Sequence, residues 1–319
     1  TSVGFQANLK VLKSGGKSLI LFLGLVVALI LCQNFLAVGL ADLLGISPLI
    51  GLCTGSIPMV GGHGTAGAFG PVLEEAGVAG ANAVAIASAT FGLVAGCMIG
   101  GPLAYRRIHS LNLKSTETAT GSDEVTVDKN EVTGAIDSRR FLDSALYLAI
   151  AIGAGTIVSL FLNKLMTFPS YIGAMVVAAI IRNIVDATHK DMPMEEISTI
   201  GSFSLSLFLG LAMMGLKLWQ LAELALPMIV MLAAQTVLMA IFAYFVVFNL
   251  LGKNYDAAVM TSGFCGFGMG ATPNAMANMQ AITAKYGPAP TAYFVVPLVG
   301  SLFIDFFNAL IITTFMNFL

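Results

Sequence analysis

Charge is what this sequence lacks most. Only 10% of its 319 residues are Asp, Glu, Lys or Arg, and the mean hydropathy is +0.89. Soluble domains carry about 25% charged residues, so an ordinary water-facing fold is excluded. The formal charge is −2, and no basic stripe is present of the kind that binds nucleic acid. Cysteine is scarce as well: Cys32, Cys53, Cys97 and Cys265 stand apart in apolar or Gly-rich surroundings, with no CxxC or metal-ligand spacing. They read as small hydrophobes with free thiols, and nothing points to a resident metal or an organic cofactor.

Long apolar runs are what the chain has instead. About 20 apolar residues span the hydrocarbon of a bilayer, and candidate spans cover residues 18–44, 81–105, 141–162, 170–184, 198–215, 225–251 and 292–319. The expected class is an all-α polytopic membrane protein. Residues 109–140 form a polar linker rich in Ser, Thr, Asp and Glu, too poor in apolar residues to build a core. It divides an N-terminal unit, 1–108, from a C-terminal unit, 141–319.

Two segments fit no simple span: 46–80, which contains "MVGGHGTAGAFG" (59–70), and 254–287, "NYDAAVMTSGFCGFGMGATPNAMANMQAITAKYG". Each is apolar, interrupted by Gly and Pro, and followed by a full-length helix. They read as re-entrant hairpins, because non-helical backbone at membrane depth must be buried in protein or line a cavity. Lys and Arg favour the cytoplasmic side. With the linker inside and each hairpin returning to the side it left, 13 of the 15 Lys and Arg fall inside and only Lys164 and Lys217 outside. That places the first hairpin on the outer face, the second on the inner face, and the C-terminus outside.

The halves also match in order. "GFQANLKVL" (4–12) precedes "GLKLWQLAE" (215–223) by 211 residues, and "GGHGTAGA" (61–68) precedes "FGMGATPN" (267–274) by 206. An odd number of crossings per half gives opposite orientations, and inverted repeats with broken elements are a secondary-transporter signature. The second half carries two spans ahead of its matching segment that the first half lacks. Two helices, roughly 70–75 residues, are therefore expected to be missing from the N-terminus of this chain.

Among chemically capable residues, Asp305 comes first. It is the only charge in residues 291–319 and stands 14 residues from either end, where an ionisable group is costly and marks function by default. It is either a neutral acid tying helices together or a carboxylate for a cation or a substrate ammonium, with Asn308 one turn further on. The hairpin tips supply backbone N–H groups that suit an anion. Ser56, His63 and Thr65 add donors in the first tip; Thr272, Asn274, Asn278 and Gln280 do so in the second. His63 has three readings: an imidazole that orients the loop, a direct substrate donor, or a proton carrier. Arg182 and Asp186 read as residues snorkelling at a helix end, Asp256 as a cap for the second hairpin, and the Met-rich runs as packing.

With those motifs in view, the sequence resembles the bacterial sodium/glutamate symporter family. The resemblance rests on "GSIPMVGGHGTAGAFG" (55–70), "ATFGLVAGCMIGGPLA" (89–104), "SLSLFLGLAMMGLKLWQLAELALPM" (204–228), "GKNYDAAV" (252–259), "CGFGMGATPNAMANMQAIT" (265–283) and "VVPLVGSLFIDFFNALI" (295–311). It implies two inverted five-helix repeats, each with a re-entrant hairpin between its fourth and fifth helices. It implies a homodimer in the bacterial inner membrane, with hairpin-bearing parts moving against a dimerisation scaffold in the lipid bilayer. The implied activity is Na⁺-coupled uptake of L-glutamate, with Na⁺ as coupling ion and no cofactor. Carried over by position, the substrate-binding residues are Ser56, Gly62, His63, Gly64, Thr65, Thr272, Asn278 and Gln280. Asp305 and Asn308 are candidates for Na⁺ or the substrate ammonium. Asn274 departs from the Thr expected there.

Two carboxylates and one ammonium suit that arrangement of donors and one buried acid. An intramembrane hydrolase is disfavoured, since no second buried Asp accompanies Asp305 and no acid stands beside His63. A channel filter built on re-entrant loops and a Na⁺- or H⁺-coupled symporter of citrate or another dicarboxylate are the remaining alternatives.

Overall fold

The structure, a computed structural model, describes residues 1–6, 16–115, 138–162, 170–188, 192–214, 218–302 and 304–319. Among the described residues every regular element is helical. After a short 3₁₀ turn at Ser2–Gln6 come α1 (Gly16–Leu43), α2 (Pro48–Leu52), α3 (Gly62–Glu75), α4 (Ala81–Ser110), α5 (Ser138–Leu162), α6 (Ser170–Ala187), α7 (Met194–Met214) and α8 (Leu218–Ile241). A π-helical stretch, Phe242–Val247, and a last turn, Phe248–Leu250, extend α8; then follow α9 (Tyr255–Gly268), α10 (Thr272–Tyr286), α11 (Pro290–Leu302) and α12 (Ile304–Phe318). Most of the polar linker, the end of the "GFQANLKVL" segment and the start of "GLKLWQLAE" lie outside the described residues.

Four described helices are long and apolar enough to cross a bilayer, or five if the bent pair α11–α12 counts as one. Their exposure pattern agrees with a lipid environment. Only 17% of the most apolar window of α5 is buried, and Leu142, Leu146, Ile150, Ile157 and Phe161 are exposed along it. A water-facing helix would not carry such a face. In α4 the corresponding share is 56%, which marks it as the helix around which the others pack.

Three expected boundaries change. The final span is two helices, α11 and α12, bent by 45° at a break after residue 300, so Asp305 sits in the first turn of α12 rather than mid-helix. The span expected over 225–251 is found at Leu224–Leu250, but the helix that carries it begins earlier, at Leu218, with Pro227 inside. The cap of the second hairpin is Asn254, whose side chain accepts from Ala257 N–H at 2.8 Å; Asp256 lies in the first turn that follows.

Within 46–80, α2 and α3 flank an irregular stretch at 53–61. Residues 53–60 are fully buried, so every backbone group there needs a partner. Cys53, Thr54 and Gly55 N–H groups bond back to Ile50, Gly51 and Leu52 carbonyls. Ser56 also reaches outside the segment: its N–H donates to Asn34 Oδ1 at 2.9 Å, and its carbonyl, which accepts from Gly61 N–H at 3.1 Å, accepts from Asn308 Nδ2 at 3.2 Å as well. Within 254–287, α9 and α10 are joined by three residues, with Gly270 and Ala271 N–H groups closing onto Phe267 and Gly266 carbonyls. Each segment anchors its own apolar core. Cys53, Ile57, Phe69 and Leu73 pack with the start of α4 in one, while Phe264, Phe267, Met269 and Met279 pack with α1, α8 and α11 in the other.

Candidate functional site

The two glycine-rich turns meet. Gly62 opens α3 with φ +58°, and a Cβ built on it would stand 2.6 Å from the carbonyl oxygen of Gly270. Both facts require glycine: L side chains rarely adopt that backbone, and any side chain would push the turns apart. Contact at this point joins segments more than 200 residues apart in sequence.

A cavity lies on each side of the contact. One, of about 400 Å³, is lined by Val60, Gly61, Phe267, Thr272, Met276 and Asp305, among others. The second, of about 530 Å³, opens between α3 and helices α6 and α7, and includes Gly64, Thr65, Tyr171, Ser198, Ser202 and Asp305. Gly61 and Asp305 border both. Asp305 reaches this place from the first turn of α12. A half-buried carboxylate facing two cavities of ligand size can meet a cation or an ammonium without crossing lipid.

The remaining predicted residues divide. Gly62, Gly64, Thr65, Thr272 and Asp305 gather at the contact and its cavities. Ser56 lies behind it, fully buried, with its Oγ unpartnered; the Nδ2 of Asn34 and Oδ1 of Asn308, on the two residues that hold its peptide, are unpartnered too. His63 lines neither cavity and pairs its Nε2 with Thr90 Oγ1 at 3.0 Å. Asn278 is turned to packing: its Nδ2 donates to Gly96 and Ser262 carbonyls, both at 3.1 Å. Asn274 likewise donates to the Leu93 carbonyl at 2.8 Å, and Gln280 is exposed. These amides face α4, where Gly92, Gly96 and Gly100 form a stripe spaced by four. Cβ atoms at those positions would run into Met269, Cys265 and Ser262 backbone and the Asn278 amide. The stripe is the small-residue spacing that lets membrane helices approach closely.

Sequence reasoning passed over three polar residues that the structure brings into play. Asn34 and Gln33, neighbours on α1, reach the two hairpins separately: Asn34 bonds Ser56, and Gln33 Nε2 donates to the Gly268 carbonyl at 2.8 Å. Gln235 on α8 donates to the Gln33 carbonyl at 2.8 Å. The available signal was an isolated amide in an apolar run, "LCQNFL" and "AAQTVL", which is costly in lipid and therefore partnered or functional.

Comparison with known proteins accords with this architecture. A family model described as sodium/glutamate symporter matches residues 1–288. The sodium/glutamate symporter of Escherichia coli (strain K12) is 43% identical over 322 residues, a match covering 99% of this chain and 79% of that protein. The sodium/glutamate symporter of Haemophilus influenzae is 38% identical over 317 residues, covering 97% and 78%. No solved structure matches the chain. The chain belongs to the sodium/glutamate symporter family.

Proposed function

We propose that this protein is a secondary active transporter that couples Na⁺ entry to uptake of L-glutamate across the bacterial inner membrane by alternating access. One observation carries the reading: two glycine turns from opposite halves touch at Gly62 and Gly270, with a cavity on either side and one carboxylate, Asp305, bordering both. Helix α10 starts at Thr272 beside the smaller cavity, and α3 starts at Gly62 beside the contact. Their N-terminal N–H groups suit the substrate carboxylates, with Thr65 and Thr272 adding hydroxyl donors. Asp305 takes the ammonium or the coupling cation.

In this reading residues 46–80 and 254–287 are re-entrant hairpins entering from opposite faces, within two inverted five-helix repeats. The linker is cytoplasmic, the C-terminus is outside, and the protein works as a homodimer. Ser56 and Asn308 then support the site from behind, while Gly64 and Thr65 present the first tip to the substrate. Co-transported Na⁺ offsets the cost of carrying a net negative solute into a negative-inside cell.

The deciding experiment is uptake of labelled L-glutamate into proteoliposomes under an inward Na⁺ gradient, with K⁺ as control and Asp305→Asn alongside. Saturable uptake that needs Na⁺ and falls about 100-fold in the variant is the expected result. Na⁺-driven uptake unchanged by Asp305→Asn would remove Asp305 from the site, and uptake indifferent to Na⁺ would overturn the coupling.

A further inference from the structure

Where the long helices α1 and α8 pass one another, two glutamines lie in the apolar interior. Gln33 is 0% exposed and Gln235 1%. Both amide nitrogens are used. Gln33 Nε2 donates to the carbonyl of Gly268, the last residue of α9, and Gln235 Nε2 donates to the backbone carbonyl of Gln33, each at 2.8 Å. Both amide oxygens, Gln33 Oε1 and Gln235 Oε1, are buried with no donor. Because the nitrogens are committed to carbonyls, rotating either amide would set oxygen against oxygen, so the orientation of both is fixed by the network.

These oxygens belong to one locality. A Cβ on Gly268 would meet Leu29 Cδ2 at 2.6 Å and Met239 Cε at 3.0 Å. Leu29 is one helical turn before Gln33, and Met239 one turn after Gln235, so both glutamine-bearing faces converge on the end of α9. That end is the C-terminus of a 14-residue helix, where the macrodipole is negative and the Gly266, Phe267 and Gly268 carbonyls, bonded to the turn or to Gln33, each keep a second lone pair. Buried acceptor oxygens without donors, beside a negative helix end, call for a cation.

We propose that Gln33 and Gln235, with the terminal carbonyls of α9, form a binding site for Na⁺. The donor set consists of neutral oxygens, and among the described residues no group of three or more His, Cys, Asp or Glu is placed to hold a metal. Neutral hard oxygens match a singly charged alkali cation. Ions held by unwound carbonyls and half-helix C-termini are a recurring design in transporters. The site rests on the symporter reading and adds a coupling device to it. Gly268 follows Phe267, which lines the smaller cavity, and precedes Thr272 on the same turn. A cation on the glutamines therefore fixes the turn whose far side meets the substrate, and binding of either ligand favours the other by the same factor.

The test compares wild type with Gln33→Met and Gln235→Met, which keep length and remove the whole amide, and with Gln33→Asn and Gln235→Asn, which keep the amide and withdraw it by one methylene. Two readouts are taken. One is the rise in thermal unfolding temperature of purified protein when N-methylglucamine is replaced by Na⁺. The other is the Na⁺ concentration giving half-maximal L-glutamate uptake. Wild type is expected to gain stability from Na⁺. The Met variants lose that gain and need about tenfold more Na⁺, while the Asn variants, which preserve the fold if the Met variants do not, need about fivefold more. At saturating Na⁺ the variants' KM for L-glutamate stays within about twofold of wild type. Variants that keep both Na⁺ responses overturn the site and return the oxygens to a buried water. A wild type without either Na⁺ response overturns the symporter reading itself.

Discussion

The two hairpin segments solve the same problem by different means. In the second, α9 and α10 are 14 and 15 residues long, joined by a tight turn and fastened to α4 by Asn274 and Asn278. From Ala257 to Gly268 every residue of α9 is buried. In the first, α2 has only five residues. Its irregular stretch adds side chains from α1 and α12 to its own backbone bonds at Ser56, and α3 exposes Gly64, Glu74 and Glu75. One segment is a wall built into α4. The other packs its core on the start of α4, is tied through Ser56 and His63, and leaves Thr65 and the start of α3 facing a cavity. In the second hairpin Asn274 and Asn278 are consumed by structure while Thr272 lines the smaller cavity; in the first, Thr54 and His63 are bonded and Thr65 lines the larger one. The two tips divide the work in that way, with the second fixing a surface against which the first closes.

The sharpest way to break this division is at the contact itself. Gly62→Ala adds one carbon that lands on the Gly270 carbonyl and forces an L residue into positive φ, a backbone cost of about 1–2 kcal/mol. The protein should still fold, since the first core lies behind the tip. Uptake should fall about 100-fold, the scale associated with ångström misplacement in a preorganised site. Full uptake by this variant, measured in proteoliposomes at equal protein, would show that the tips need not touch.

A change in the wall should be felt as lost stability. Asn278→Leu removes the second donor from the Gly96 and Ser262 carbonyls, which lie inside α4 and α9, and sets a branched side chain against Gly100. Each lost hydrogen bond costs about 0.5–1.5 kcal/mol. The expected result is a lower unfolding temperature in a thermal melt, with KM for L-glutamate little changed in the surviving protein. A selective rise in KM at unchanged stability would move Asn278 from the wall to the substrate.

Much of this was legible in the sequence, for reasons that differ from residue to residue. Apolar length identifies α1, α4 and α5 because bilayer thickness sets a length that composition reports directly. Glycine clusters give the two turns, since unsatisfied backbone at depth needs close protein neighbours. Asp305 stands out because charge is rare there, yet the bend that makes it the start of α12 leaves no mark in a hydropathy pattern. What could not be read is how amides are used. Asn278 and Thr272 look equally suited to a ligand in "ATPNAMANM", and only the approach of α4 through Gly96 and Gly100 assigns Asn278 to packing. Gln33 and Gln235 were hidden for the converse reason: their partners come from helices distant in sequence, and pairing across such distances is not encoded in local spacing.

The smallest expected effect is at His63, which joins the first hairpin to the helix that carries the second. Its Nε2 meets Thr90 Oγ1 at 3.0 Å, and Thr90 in turn donates to the Ile86 carbonyl at 3.1 Å. With that hydroxyl proton used on Ile86, Thr90 is left as an acceptor, so the imidazole is the donor in the chain. Glutamine can replace such a donor with an amide of similar reach. His63→Gln should therefore alter uptake by only about twofold, the scale of a neutral hydrogen bond shifted by a few tenths of a kcal/mol. Its dependence on pH between about 5.5 and 8, where imidazole titrates, should match wild type. A proton carrier at this position would behave otherwise: the substitution would flatten the pH profile and lower the rate together. Measured on the same vesicles as Gly62→Ala, the variant separates a tip that must touch its partner from a side chain that only steadies it.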